Sequence, residues 1–301
     1  MIDYDPHRWR DHFFDIKGSM VREIGYRVLS VVLWSVVVCL GDALLRPLAI
    51  PVEAHTLIGA ALGLLMVFRT NASYDRFWEG RKLWGGIVNA SRNLARSAGA
   101  YLPPATTRPM IAWAIAFPYA AMHLLRGTAG RVPGGRLGAG EIAALASSSH
   151  PPLTICRRVG QLLDQAHRRG EVGEVTRGLI DQNLQQLVDH IGGCERILRT
   201  PLPFAYTVHL RRAIIFYCFS LPFALLGKFG WGTIPATLLI TYTFFGIEEI
   251  GVEIENPFGE DDNDLPLEAI CAGIERDLGE IESSLPGGAG SEEPDEPLAV
   301  G

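Results

Sequence analysis

The apolar positions of this chain are clumped. Four stretches carry no Asp, Glu, Lys or Arg: 28–41 (VLSVVLWSVVVCLG), 54–68 (AHTLIGAALGLLMVF), 213–227 (AIIFYCFSLPFALLG) and 229–247 (FGWGTIPATLLITYTFFGI). Each predicts a helix that is apolar on every face, which belongs in a protein core or in a membrane. Only the last reaches 19 residues, against ~18 for a confident membrane helix. Length alone therefore leaves buried helices of a soluble all-α protein as the alternative. A fifth such stretch, 109–125 (PMIAWAIAFPYAAMHLL), is Ala-rich with Pro118 inside it and reads as a soluble core helix.

Between the second and third stretches the pattern changes. Residues 76–98 bring Phe77, Trp84, Ile87, Ser91 and Leu94 onto one helical face. Residues 172–198 repeat the pattern with Val175, Leu179, Leu184, Leu187 and Ile191. Both predict amphipathic helices. Residues 126–140 hold six Gly and three Arg and predict a flexible loop; their spacing matches neither glycine motif for phosphates. Residues 283–301 are rich in Gly, Pro and Glu and predict a disordered tail.

Loop charge separates core from membrane. Arg8, Arg10, Lys17, Arg22 and Arg27 precede the first stretch, and Arg69, Arg76, Arg81, Lys82, Arg92 and Arg96 follow the second. Arg196, Arg199, Arg211 and Arg212 precede the third, while the two short connections hold only Arg46 and Lys228. That is the positive-inside pattern of four spans with both termini and the long middle section in the cytoplasm. Composition agrees: of 301 residues 48% are hydrophobic and 20% charged, and mean hydropathy is +0.17. The net charge of −6 removes a basic nucleic-acid footprint. Five cysteines, none within four residues of another, give no CxxC spacing and fit reduced thiols buried as small hydrophobes. Residues 1–23 lack the apolar stretch of a secretory signal.

Candidate chemistry is sparse. The eight His form no HExxH, and no GxSxG is present, so no enzyme is expected. His55 and His209 stand at the ends of apolar stretches and read as interfacial rings. Between Glu248 and Asp264 there are eight carboxylates and no base. The run Glu260-Asp-Asp-Asn-Asp264 follows a Pro-Phe-Gly turn and offers hard oxygen ligands suited to Ca²⁺, although Leu265 stands where an EF-hand needs Gly. The alternative is a solvated helix terminus, with Asp264 and Glu268 as the capping box of a helix over 265–281. On the second apolar stretch, Ala60, Leu64 and Phe68 are four apart and form one stripe. Gly59 and Gly63 give it a small-residue face for close packing. Around a symmetry axis the stripe forms stacked apolar rings of the kind that gate by dewetting; in a lone subunit it packs on a neighbouring helix.

Three strings converge on one family. They are Phe68-Arg-Thr-Asn-Ala-Ser-Tyr74 leading to Arg76-Phe-Trp-Glu-Gly-Arg81, Pro201-Leu-Pro-Phe-Ala-Tyr206, and Glu255-Asn-Pro-Phe-Gly-Glu-Asp-Asp-Asn-Asp-Leu-Pro266. From about residue 5 to about 282 the chain resembles the bestrophin family, closely its bacterial branch. The resemblance implies an all-α homopentameric ion channel, with four transmembrane helices and a cytosolic helical bundle per subunit around a single axial pore. Its partners would be its own copies, membrane lipid and small monovalent ions, in a bacterial inner membrane.

The implied division is 1–23 cytosolic, 24–70 transmembrane helices one and two, 71–203 cytosolic helices, 204–250 transmembrane helices three and four, 251–282 acidic cluster and last helix, and 283–301 tail. The family's neck positions fall on Ala60, Leu64 and Phe68, and its cytosolic constriction near Val175. Ala60 replaces a larger aliphatic residue of bacterial relatives, which widens the first ring.

Eukaryotic members are Ca²⁺-activated anion channels. Their clasp matches Asp261 and Asp264 by side chain and Glu253 and Asn256 by backbone carbonyl, within a string that also holds Glu260 and Asp262. Bacterial members are associated with cation conduction, and acidic surface near Glu248–Asp264 would concentrate cations, with Arg69 and Arg76 acting against it. The expectation is a cation-leaning channel with Ca²⁺ as its one candidate cofactor. A Ca²⁺-activated chloride channel of the same fold is the alternative, followed by a non-conducting membrane scaffold or a helical metal-binding enzyme.

Overall fold

The computed structural model describes residues 20–44, 47–128 and 137–286. Residues 1–19, 45–46 with Arg46, 129–136 of the glycine-rich loop and 287–301 of the expected tail lie outside the described residues. The described chain runs through α1 (Val21–Leu44), α2 (Glu53–Tyr101), α3 (Pro104–Arg126), α4 (Ala139–Ala146), α5 (Pro151–Arg168), α6 (Glu174–Arg199) and α7 (Phe204–Phe229). A 3-10 turn (Gly230–Gly232), α8 (Thr233–Glu253) and α9 (Leu267–Ser283) follow, and no strand occurs among the described residues. The fold is all-α, as expected.

Three stretches are long and apolar enough to cross a membrane: α1, α2 and the run Phe204–Glu253. The last is divided into α7 and α8 at the 3-10 turn. Gly230 there has φ +51° and ψ −125°, a combination open in practice only to glycine. Where the sequence pattern gives separate helices at 54–68 and 76–98, the chain makes one helix of 49 residues. The physical reason is visible in Arg69-Thr-Asn-Ala-Ser-Tyr-Asp-Arg76, which holds neither Gly nor Pro and so contains nothing that ends a helix.

The chain forms two compact units. The first takes in Met1–Glu79 and Arg199–Leu265, the second Gly80–Leu198 and Pro266–Gly301. In the first, α1, α7 and α8 pack on one another. Their core gathers Ile24, Val28 and Val31 of α1, Leu62 and Met66 of α2, Leu210, Ile214 and Cys218 of α7, and Phe245 of α8. Thr233, Thr237 and Thr241 are fully buried on one face of α8. In the second unit α3 packs against α5 and α9 and is buried on all faces, from Thr106 to Leu125. It is the core helix that its alanines predict. All five cysteines are free and buried. Burial pushes the thiols of Cys156 and Cys271 in this unit up to about 12, so both stay protonated and unreactive.

The start of α9 differs from the expected capping box. Leu267 opens the helix, Pro266 stands in the cap position, and no side chain caps it. Asp264 instead turns inward: its Oδ2 accepts the N–H of Asp261 at 2.8 Å, and it is 2% exposed. The N–H of Leu265 returns to the carbonyl of Pro257 at 3.0 Å. Asp264 closes a turn within the first unit, where it is unavailable to a helix N-terminus.

Candidate functional site

Two features of the first unit carry the chemistry. The first is the apolar half of α2. Leu62, Met66, Arg69 and Ser73 are buried, a face that follows the 3.6-residue period. Ala60, Leu64 and Phe68 lie on the opposite side and are exposed, Leu64 and Phe68 by 58% each. Among the described residues the stripe is therefore left largely uncovered. Gly59 marks a close approach: a Cβ there would stand 2.6 Å from the Tyr217 hydroxyl oxygen, whereas a Cβ on Gly63 meets nothing within 4 Å. Of the two glycines, only Gly59 serves packing inside the subunit. His55 is buried within the subunit, with Nε2 2.9 Å from Ser220 Oγ. His209 is exposed.

The second feature is a set of ion pairs. Arg27 at the start of α1 donates from Nη1 to Glu249 at 2.6 Å. Arg211 near the start of α7 donates from Nε to Glu248 at 2.7 Å. Arg69, which follows the exposed stripe of α2, donates from Nη2 to Glu255 at 2.8 Å and from Nη1 to Ser73 at 2.6 Å. Glu255 also accepts the N–H of Leu202 at 2.9 Å. Its carbonyl accepts Nε of Arg76 at 3.1 Å, while Nη1 of Arg76 reaches the carbonyl of Thr200 at 2.5 Å. One carboxylate thus ties α2, the segment before α7 and the segment after α8. With Arg69 only 2% exposed, removing either partner would leave a buried charge.

These pairs change the meaning of the acidic run. Glu248, Glu249 and Glu255 are neutralised by arginines from three other segments. Glu253 accepts from Asn263 Nδ2 at 3.2 Å, and the Asn256 side-chain oxygen accepts the N–H of Phe258 at 3.4 Å. Glu260, Asp261 and Asp262 are exposed. Among the described residues no three His, Cys, Asp or Glu converge so as to hold a metal ion. Within one subunit the described carboxylate side chains alone therefore gather no cation site. Sequence reasoning missed the partners, and the signal was present: arginines at one end of each apolar stretch and glutamates at the end of the last. Val175, in the second unit, is the second residue of α6 and 80% exposed.

A bundle of membrane-length helices with exposed apolar faces, and with its ion pairs gathered where the apolar runs begin and end, has the build of a membrane-protein subunit. The chain belongs to the bacterial and fungal bestrophin family, a family of ion channels and not of enzymes, whose description fits residues 1–280. It is 38% identical over 288 residues to a voltage-dependent anion channel-forming protein of Nostoc sp., covering 92% of this chain and 93% of that protein. A protein of the same description in Escherichia coli K12 is 34% identical over 286 residues, 92% of this chain and 93% of the other. A crystal structure of a bacterial bestrophin homolog from Klebsiella pneumoniae matches with a TM-score of 0.82 at 34% identity, over 87% of this chain and 100% of that one.

Proposed function

We propose that the protein is a homopentameric channel conducting small monovalent anions through a single axial pore. Its four spans are α1, the apolar first part of α2, α7 and α8, with both termini on the cytoplasmic side of a bacterial inner membrane. The observation that carries the reading is the exposed stripe Ala60, Leu64 and Phe68, opposite the buried face of the same helix. Five copies around an axis turn it into stacked rings, with Ala60 the widest and Leu64 and Phe68 the barrier, where a narrow apolar passage gates by dewetting. Val175 is the candidate for a second ring. The four-span arrangement is supported by the ion pairs, since Arg27, Arg69 and Arg211 meet residues 248–255 only if successive apolar runs alternate in direction.

The anion reading replaces the lean towards cations. Relatives from Nostoc and Escherichia coli are described as anion channel-forming. The physical basis of the cation lean also weakens, because three of its carboxylates are paired with arginine. No calcium step enters the mechanism.

The test is the reversal potential of purified protein in planar bilayers across a potassium chloride gradient, with and without Ca²⁺. Reversal at the chloride equilibrium potential, unchanged by Ca²⁺, is expected. Reversal at the potassium potential overturns the anion reading and keeps the channel. Sealed liposomes that remain impermeant to all small ions overturn the channel in favour of a scaffold.

A further inference from the structure

We propose that the groove between α1 and α7, at the arginine-bearing end of the bundle, binds an anionic membrane phospholipid by its phosphate and one acyl chain. A cavity of about 310 Å³ opens there, within the range of small-molecule sites. Its rim is polar and already organised. Glu248, 4% exposed, lies between two guanidinium groups, with Oε1 2.7 Å from Arg211 Nε and Oε2 3.9 Å from Arg27 Nη1. Arg27 is further held by Glu249 and by Tyr26, whose hydroxyl accepts from Nε at 2.9 Å. Among the described residues, Arg211 bonds through Nε alone and Arg27 through Nε and Nη1. Both Nη groups of Arg211 and Nη2 of Arg27 are thus left as donors, and planar guanidinium donors suit phosphate oxygens. Arg212, exposed and next along α7, adds a further arginine beside the rim.

Below the rim the wall is apolar. Ile214 and Phe245 form its back, Ile215 and Phe219 its open side. Arg211 and Phe219 are eight residues apart on one helix, a rise of about 12 Å into the membrane. Charge at the end of the span with apolar surface running inward is the polarity of a phospholipid, and basic pockets between transmembrane helices recognise anionic headgroups. A free phosphate would use the rim and leave the wall unfilled. The inference rests on the membrane placement of α1 and α7 proposed above and not on conduction, so current without lipid retention overturns this inference alone.

The experiment is native mass spectrometry of the full-length protein in mild detergent, titrated with phosphatidylglycerol, phosphatidylcholine or inorganic phosphate. Two variants are compared: Arg211→Gln removes the free donors, and Ile215→Trp fills the cavity while leaving every rim ion pair in place. Phosphatidylglycerol is expected to be retained about tenfold more strongly than phosphatidylcholine, and each variant is expected to lower that retention about tenfold. Should Arg211→Gln fail to fold, Ile215→Trp carries the test alone. Full displacement of the lipid by inorganic phosphate, or retention unchanged in Ile215→Trp, overturns the acyl-chain assignment. Loss of the oligomer in Ile215→Trp shows a second copy covering the groove and overturns the proposal.

Discussion

Helix α3 and the apolar part of α2 each carry a long stretch without Asp, Glu, Lys or Arg, and they have opposite fates. In α3, 15 of 23 residues are buried; in the most apolar window of α2 only 22% are. The difference lies in the partners, since both stretches hold five Ala or Gly. α3 is packed against α5 and α9 within its unit. α2 places Leu57, Ile58, Leu64, Val67 and Phe68 outward, each roughly half exposed or more. So much contiguous apolar surface is not left in water, and lipid or further copies of the chain must cover it. Apolar surface inside the subunit stabilises the fold, and apolar surface outside it is left for lipid or other copies.

The comparison breaks most visibly at Phe117. Its side chain is fully buried in α3, so Phe117→Ala should lower unfolding stability by about 3–5 kcal/mol, counting lost burial and residual cavity. Thermal unfolding of the detergent-solubilised protein reads this out. A loss below about 1 kcal/mol would show that α3 is not the core of its unit.

Next in size is the buried ion pair between Arg69 and Glu255. Arg69→Met leaves Glu255 with the Leu202 N–H as its remaining side-chain contact and should cost about 3 kcal/mol. The double variant Arg69→Met/Glu255→Leu should recover most of that loss, because it removes both charges together. A double-mutant cycle measures the coupling. A coupling near zero would mean that the pair does not tie α2 to the segment after α8.

The neck stripe should behave in the contrary way. Leu64→Ala combined with Phe68→Ala should change the stability of the subunit by under about 1 kcal/mol, since both side chains are more than half exposed in it. The same pair should raise single-channel conductance severalfold, because smaller rings hold water more readily. Unchanged current places the barrier elsewhere, with Val175 the next position to substitute.

These expectations also mark what the sequence could express. The apolar runs, the alanine-rich core helix and the stripe on α2 follow from composition and period, which are local. The continuity of α2 across residues 69–76 was also local, yet the change from apolar to amphipathic pattern reads as an end where no helix breaker exists. The ion pairs were out of reach for a different reason. Arg27 and Glu249 are 222 residues apart, Arg69 and Glu255 186. A local reading sees a run of carboxylates without bases and assigns it to solvent or to calcium, because the partners belong to other helices. The inward turn of Asp264 had the same concealment: the residue that begins a capping box in the sequence closes a different loop in space.

The smallest test compares two glycines one turn apart on α2. Gly→Ala within a helix gains up to about 1 kcal/mol of propensity where space allows. At Gly63 a Cβ meets nothing within 4 Å, so Gly63→Ala should be neutral to stabilising in thermal unfolding. At Gly59 the added methyl would stand 2.6 Å from the Tyr217 hydroxyl oxygen. Tyr217 has little freedom to yield, with its ring 5.8 Å from His55 and 5.2 Å from Phe244 by centroid. Overpacking of this kind costs about 1–3 kcal/mol, which outweighs the propensity gain and makes Gly59→Ala the destabilised member of the pair. Equal stabilities would show that the Tyr217 side of the helix is looser than it stands here. A loss of oligomer in Gly63→Ala, with the subunit still folded, would sharpen the comparison further: the face that is open within one subunit would then be closed by the backbone of a neighbouring copy.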